Sequence, residues 1–259
     1  MSTQSSTLER ETTLENHPVV PREKWLAARK ELLKKEKELY HARDRICAQR
    51  RELPWVKVDK NYVFEGPEGK VTLSDLFRGR SQLIIYHFMF GPGWKEGCEG
   101  CSFLCDHFDS ARQHFEHRDV AFAAVSRAPL AEFAGFKKRM GWKFPWVSSA
   151  NSDFNYDYHV SFTGEQVAKG EAMYNYAPET ETGESHGMSV FYKNEAGEIF
   201  HTYSTYARGG EESLTTFMMM DLTPKGRNEE STMNWIRHHD KYDQAEGSTC
   251  GCSTKEDGA

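Results

Sequence analysis

Two cysteines separated by two residues carry the clearest chemical signal in this sequence. Cys98 and Cys101 follow an apolar run and a Gly/Pro loop, and a helix-like stretch begins after them. Thiols at this spacing across a helix start can close a small disulfide ring, and the free N–H groups of the helix N-terminus stabilise the first thiolate. The pattern predicts thiol–disulfide exchange, with Cys98 as the nucleophile and Cys101 as the more buried resolving thiol.

Charged residues flank this pair. Glu96 and Glu99 are expected to raise the pKa of Cys98, while the helix dipole and Lys95 are expected to lower it. An acidic flank destabilises a thiolate. The sequence therefore predicts a poorer oxidant than a site with neutral or basic neighbours.

Cys105 extends the spacing to i, i+3 and i+7, so three thiols can lie on one helix face. One interpretation of Cys105 is a small buried apolar residue. The other is a third thiolate of a zinc or copper(I) site, in which His107 joins Cys98, Cys101 and Cys105. Without such a site, no cofactor is expected.

A second cysteine pair, Cys250 and Cys252, lies near the end of the chain. It has three interpretations. It completes the metal site, it carries disulfides to the main pair, or it has no catalytic role.

Two further side chains are candidates for binding. Trp94, in the loop before the cysteines, is either a platform for a substrate or a packing residue of the loop. Arg127 follows a predicted strand, at the edge where open α/β sheets place ligand sites, or is an exposed loop arginine. His87, within an apolar strand, is interpreted as a hydrogen-bonded core histidine.

The elements that must position these residues alternate between strand and helix. Apolar runs predict buried strands over 82–90 and 120–126, and amphipathic spacing predicts helices over 102–117 and 129–140. This order is typical of a parallel sheet with right-handed crossovers. Further expectations are a half-buried strand over 154–162, a hairpin of 188–192 with 199–203, and helices near 211–220 and 229–242.

A cationic helix is predicted ahead of these elements. Residues 22–51 hold eleven Lys/Arg against five Asp/Glu, and apolar doublets recur every seven residues. Such a narrow stripe must lie against another surface. Packing on the domain and pairing in a homodimer are both open.

Composition narrows the class of protein. The net charge of −6 does not indicate a general binder of nucleic acid or anionic membrane. No secretory signal and no apolar run of about 20 residues is visible, so a cytoplasmic protein with no membrane partner is expected. In a reducing compartment, close-set cysteines suggest redox or metal chemistry.

The sequence resembles a bacterial thioredoxin-like family known as domain of unknown function 899, over roughly residues 20–242. The matching segments include Tyr-His-Phe-Met-Phe-Gly-Pro at 86–92, Phe-Asn-Tyr-Asp at 154–157 and Asp-Leu-Thr-Pro-Lys-Gly-Arg at 221–227. Residues 55–145 are also similar to the peroxiredoxin and thiol–disulfide reductase branch of the thioredoxin superfamily. The resemblance implies an α/β, thioredoxin-like three-layer sandwich with a central mixed sheet, an N-terminal helical extension and C-terminal helices.

Two positions depart from these relatives. Thioredoxins place a cis-proline before the hairpin strand that faces the cysteines, but residues 185–188 contain no proline. Peroxiredoxins carry a threonine three residues before the reactive cysteine, and Lys95 stands there instead.

Together these features predict five segments and one leading activity. The segments are a disordered N-terminus over 1–20, a helix over 21–52, a thioredoxin-like domain over 53–243, an insertion within it near 164–187, and a tail over 244–259. The expected activity is that of a thiol–disulfide oxidoreductase or thiol peroxidase acting on a protein or small-molecule disulfide or a peroxide. The alternatives are a thiolate metal-binding protein and a non-catalytic interaction module.

Overall fold

The computed structural model describes Leu14 and residues 17–242. The predicted disordered N-terminus over 1–20 lies largely outside these residues, and the tail with Cys250 and Cys252 lies entirely outside them. The helices are α1 (Arg22–Arg51), α2 (Glu99–Phe115), α3 (Leu130–Met140), α4 (Phe154–Asp157), α5 (Gly164–Ala168) and α6 (Thr215–Met220). The strands are β1 (Val56–Lys57), β2 (Val63–Gly66), β3 (Gly69–Thr72), β4 (Gln82–His87), β5 (Val120–Ser126), β6 (Trp146–Ser148), β7 (Ser161–Phe162), β8 (Met173–Tyr174), β9 (Ala177–Pro178), β10 (Gly183–Glu184), β11 (Gly187–Lys193) and β12 (Ile199–Tyr206).

One mixed sheet organises the domain. Its strand order is β1-β12-β11-β4-β5-β6-β2-β3, with β4, β5 and β6 parallel and β11 and β12 antiparallel to their neighbours. Helix α2 connects β4 to β5, and α3 connects β5 to β6. This arrangement is thioredoxin-like, and the predicted α/β class with an N-terminal helix is confirmed.

Both faces of the central strands are covered, which explains their continuous apolar runs. Along β4, Ile84 and Tyr86 face the core that α2 and α3 cover, whereas Leu83 and Ile85 face a second core on the other side. The fold therefore holds two apolar layers, and the cysteine-bearing helix belongs to the first of them.

His87, the last residue of β4, is fully buried in the second layer. Its Nε2 shares a 2.8 Å hydrogen bond with the hydroxyl of Ser189. Its ring stacks on Phe154 and Tyr158, with centroids 5.5 and 6.0 Å away. The expectation of a hydrogen-bonded core histidine is confirmed. Burial lowers the pKa of His87 to about 3.

This pKa predicts acid sensitivity. The unfolded chain binds a proton at His87 below a pH of about 6.5, and the folded protein does so only near pH 3, so stability is full above 6.5 and falls with pH below it. The expected loss is about 1.4 kcal/mol of unfolding free energy per pH unit. Denaturant unfolding from pH 4 to 7 measures it, and His87→Gln should show a correspondingly shallower slope. An unchanged slope would contradict the assignment.

The predicted strand over 154–162 is wrong. Residues 154–157 form α4, and only Ser161–Phe162 extend as β7. Phe154 and Tyr158 are four residues apart, so one helical face buries both, with ring centroids 4.6 Å apart. Aromatic residues at every second position include pairs that are four residues apart. The pattern therefore fits one face of a helix as well as one face of a strand.

The predicted helix over 229–242 is also wrong. That segment is mainly turns, with a short 3-10 helix at His239–Lys241. Long-range contacts hold it in place: Ile236 and His238 are each 2% exposed. The helix predicted near 211–220 is divided into a 3-10 helix at Ala207–Ser213 and α6.

Helix α1 extends along the surface with no buried residue. Its apolar stripe is exposed, from 39% at Leu33 to 68% at Leu39, so the first of the two alternatives, packing of the stripe on the domain, is wrong. Contact with the domain comes from Arg50, which lies 4.7 Å from the ring of Tyr203 and 3.9 Å from Glu212. Pairing of α1 in a homodimer stays a prediction.

The segment over 164–187 contains α5, a hairpin of β8 and β9, and β10, which pairs with β7. A capping box between Thr163 and Gln166 begins α5. Within the described residues, no helix combines the length and apolarity needed to cross a membrane.

Candidate redox site

Cys98 is fixed where the loop after β4 meets α2. Its N–H donates to the carbonyl of Met89 at 3.2 Å, and its own carbonyl accepts the hydroxyl of Ser102 at 2.8 Å. Cys98 is the N-cap residue of α2, and the backbone N–H of Cys101 points to its sulfur at 3.5 Å. A half-buried thiol is thereby held against the positive end of a helix of 17 residues.

Cys101 lies one helical turn further, in the core. It is 1% exposed, and its sulfur accepts the backbone N–H of Met89 at 3.5 Å. The structure therefore gives the two thiols unequal access to solvent, as the spacing predicts.

The two thiols also differ in acidity. A hydrogen bond from the Cys101 thiol lowers the pKa of Cys98 to about 7, with backbone N–H groups assisting against the effect of burial. Burial raises the pKa of Cys101 well above its ordinary value. Near neutral pH, Cys98 is thus the thiol of the pair that ionises and Cys101 is the one that keeps its proton, which is the arrangement that thiol exchange requires.

The expected effect of the acidic flank is reduced, because two cationic side chains compensate the negative charge of Glu96. Burial disfavours its ionised form, but hydrogen bonds from Lys241 and Arg139 outweigh burial and lower the pKa of Glu96 to about 2. The Lys241 ammonium lies 2.9 and 2.7 Å from its two oxygens. Glu99 does raise the pKa of Cys98, as predicted, but by less than the groups that lower it.

The C-terminal segment over 229–242, which the sequence interpretation did not connect with the cysteines, closes over this loop. The Nε2–H of His238 donates to the carbonyl of Gly97 at 2.9 Å, and Arg139 donates to its Nδ1 at 3.1 Å. The sulfur of Met233 approaches Gly100 in the first turn of α2. His238 is therefore buried against the loop that precedes α2. No local sequence pattern signals such long-range contacts.

Cys105 and His107 do not join Cys98 in a metal centre. Burial raises the pKa of Cys105 well above its ordinary value. The His107 ring is used elsewhere: Nδ1–H donates to the carbonyl of Phe103 at 2.6 Å and Nε2 accepts from Thr216. Over Leu14 and residues 17–242, no group of three His, Cys, Asp or Glu side chains is arranged to hold a metal ion.

The two predicted binding residues lie near the same loop. Trp94 is 39% exposed, and its Nε1 approaches Gly91 closely enough that a side chain there would clash with it. Arg127 is not free: its Nε lies 2.6 Å from Glu184, and it donates to the hydroxyl of Tyr156. Its charge is therefore already compensated within the protein.

An apolar cavity of about 880 Å³ lies on another side of α2. The residues around it include Arg50, Phe103, Tyr203 and Thr216. None of the described cysteines lines it, so it is separate from the thiol pair.

A family model described as a bacterial protein of unknown function (DUF899) matches residues 14–242. Among curated proteins, none matches the chain.

Several solved structures are similar to the chain. Peroxidoxin BcpB from Mycobacterium tuberculosis is 12% identical, with 65% of this chain and 97% of that protein covered and a TM-score of 0.43. Bacterioferritin comigratory protein from Xanthomonas campestris is 16% identical, with coverage of 61% and 89% and a TM-score of 0.42. A putative thiol:disulfide interchange protein DsbE from Chlorobium tepidum is 13% identical, with coverage of 66% and 99% and a TM-score of 0.40. Similarity at this level does not extend to activity.

Proposed function

The chain belongs to the DUF899 family of bacterial proteins, and we propose that it is a thiol–disulfide oxidoreductase whose reactive pair is Cys98 and Cys101. One observation carries the proposal. A half-buried thiol with a pKa lowered to about 7 lies at a helix N-terminus, beside a fully buried thiol whose pKa is raised. The first has the properties of a nucleophile and the second those of a resolving group.

The reaction proceeds in two displacements. The Cys98 thiolate attacks one sulfur of a substrate disulfide, the substrate S–S bond breaks, and one substrate thiol leaves with a proton from solvent. The Cys101 sulfur, after losing its proton to solvent, attacks Cys98 in the mixed disulfide. The second substrate thiol then leaves and takes up a proton. Two electrons pass to the substrate, and a dithiol reductant reverses the steps to restore the pair.

Two features of the site support attack at Cys98 in particular. The neutralisation of Glu96 by Lys241 and Arg139 removes a charge that would oppose the thiolate. The 229–242 segment anchors the loop through the carbonyl of Gly97, so the cysteine sulfur is held at the helix start. A rigid nucleophile loses little conformational entropy on reaction.

The proposal is tested by redox titration. Equilibrating the full-length protein in dithiothreitol buffers of graded potential, trapping free thiols and mapping peptides by mass spectrometry should show a two-electron transition of the peptide that carries Cys98 and Cys101. Its oxidised product should be the Cys98–Cys101 disulfide. Cys47, a half-buried free thiol on α1, serves as internal control and should be trapped reduced throughout. Absence of the Cys98–Cys101 disulfide at every potential would refute the proposal.

A further inference from the structure

The hydroxyl of Tyr86 is a buried polar group without an evident structural role. Tyr86 belongs to β4 and is 1% exposed. Its oxygen forms no hydrogen bond of ordinary length and angle with any described residue. A buried hydroxyl without a partner costs stability, and folded proteins retain few of them. Some other benefit must therefore explain a tyrosine, rather than a phenylalanine, at this position.

Tyr86 packs in the same core layer as Cys101 and Cys105, and Cys98 packs against the edge of that layer. The phenol acts to lower the pKa of Cys101 against the larger effect of burial. Packing holds the phenol ring in place: the ring of Phe108 lies 5.1 Å from its centroid and that of His186 lies 6.4 Å away. The core therefore leaves the phenol ring little freedom to move away from the layer that holds the thiols.

Cys101 needs such a group because its buried thiolate is costly. Its other polar neighbours are the thiol of Cys98 and the backbone N–H of Met89, which donates a hydrogen bond to the Cys101 sulfur at 3.5 Å. In the mixed disulfide, Cys98 has no thiol proton left to share. The resolving sulfur then depends on the backbone N–H and on the phenol.

We propose that Tyr86 is a positioning residue for the resolving step, donating a hydrogen bond to the Cys101 sulfur as this becomes a thiolate. The proposal rests on the thiol–disulfide exchange proposed above. The phenol keeps its own proton, since burial also raises the pKa of Tyr86 well above its ordinary value. Cys101 then forms its bond to Cys98, the mixed disulfide breaks, and the hydrogen bond is released.

The test uses dithiobis(nitrobenzoate), an aromatic disulfide that releases a coloured thiolate at each displacement. In a protein with Cys47, Cys250 and Cys252 changed to serine, the first release reports attack by Cys98 and the second reports attack by Cys101. Tyr86→Phe should leave the first rate unchanged and slow the second by about tenfold or more, the range for a hydrogen bond to a charged group. The pH profile of the second step should move to higher pH.

Other titratable groups near Cys101 also contribute to the pH profile of the second step, so their contribution must be distinguished from that of Tyr86. They are Cys98 and Cys105 on α2, Tyr174 in the insertion and His186 before β11. All of them are retained in Tyr86→Phe. A shift seen with this variant therefore belongs to the phenol hydroxyl.

Tyr158→Phe is the matched control, because it removes the phenol oxygen of a buried tyrosine on the other side of the sheet. It should change neither rate. Tyr86→Phe should be as stable as the parent protein or more so, since it removes an unpartnered hydroxyl. A second rate and pH profile equal to those of the parent would overturn the role of Tyr86. A parent protein with no second release would instead overturn the exchange reaction itself.

Discussion

Replacing Cys98 with serine is expected to abolish thiol–disulfide exchange, with a loss of roughly a thousandfold or more. The hydroxyl of serine is not ionised near neutral pH, so the substitution removes the thiolate and leaves the N-cap geometry largely intact. The substrate disulfide then meets no nucleophile. The measurement is reduction of a model disulfide by the pre-reduced protein.

Cys101→Ser should give a different result from Cys98→Ser. It retains the nucleophile but not the resolving thiol, so a mixed disulfide on Cys98 should accumulate and be seen as a mass increase in the intact protein. Alkylation should separate the two variants further. In the parent protein its rate at Cys98 should rise with pH through a midpoint near 7, because the thiolate is the reacting form, and in Cys101→Ser the midpoint should move if the Cys101 thiol sets this pKa.

Cys105→Ala is the control for this pair of variants, because Cys105 is fully buried with a pKa raised well above the ordinary range. It should retain exchange activity. Full activity in Cys98→Ser would show that another group performs the reaction. Equal loss in Cys98→Ser and Cys101→Ser with no trapped adduct would contradict the order of attack.

The central part of the fold follows from local pattern, because its strands are covered on both faces and its helices on one. The apolar run over 82–90 contains β4, the run over 120–126 matches β5, and the helix predicted after the cysteines appears as α2. The positions of Cys98 and Cys101 are predictable for the same reason, because a cysteine pair between a buried strand and a helix must lie at the N-terminus of that helix. Spacing alone also predicted which thiol is the more buried.

The electrostatics of the site depend on long-range contacts that no local sequence pattern predicts. Glu96 pairs with Lys241, which is 145 positions away in the chain, and of the two flanking acids only Glu99 raises the pKa of Cys98. The buried Tyr86 hydroxyl without a hydrogen-bond partner is equally hard to predict, because an aromatic residue in a buried strand indicates only packing. Such features arise when separate elements meet.

The second large effect is expected at Gly97, immediately before the nucleophile. A Cβ at this position would lie 2.5 and 2.8 Å from two atoms of the Phe88 ring and 3.0 Å from one atom of Phe136. Both rings are buried, and Phe88 is further confined by Trp146, with ring centroids 4.5 Å apart. The rings have little room to move. An alanine must therefore displace the loop rather than the core.

Gly97→Ala should accordingly destabilise the protein by about 2–3 kcal/mol, as overpacked cores do, and should move Cys98 away from the helix start. Without that setting, the pKa of Cys98 should rise and its alkylation at pH 7 should slow. Denaturant unfolding measures the first effect, and the pH dependence of alkylation measures the second. Both should appear together, because one displacement causes them.

Gly135→Ala provides the matched control, since Gly135 lies in α3 and a Cβ there meets no atom within 4 Å. A helix favours alanine over glycine, so this variant should gain about 0.5–1 kcal/mol and leave the pKa of Cys98 unchanged. If Gly97→Ala proved as stable as the parent and equally reactive at pH 7, the loop would have adapted to the added methyl group. The close contact with Phe88 would then not be what holds the nucleophile at the start of α2.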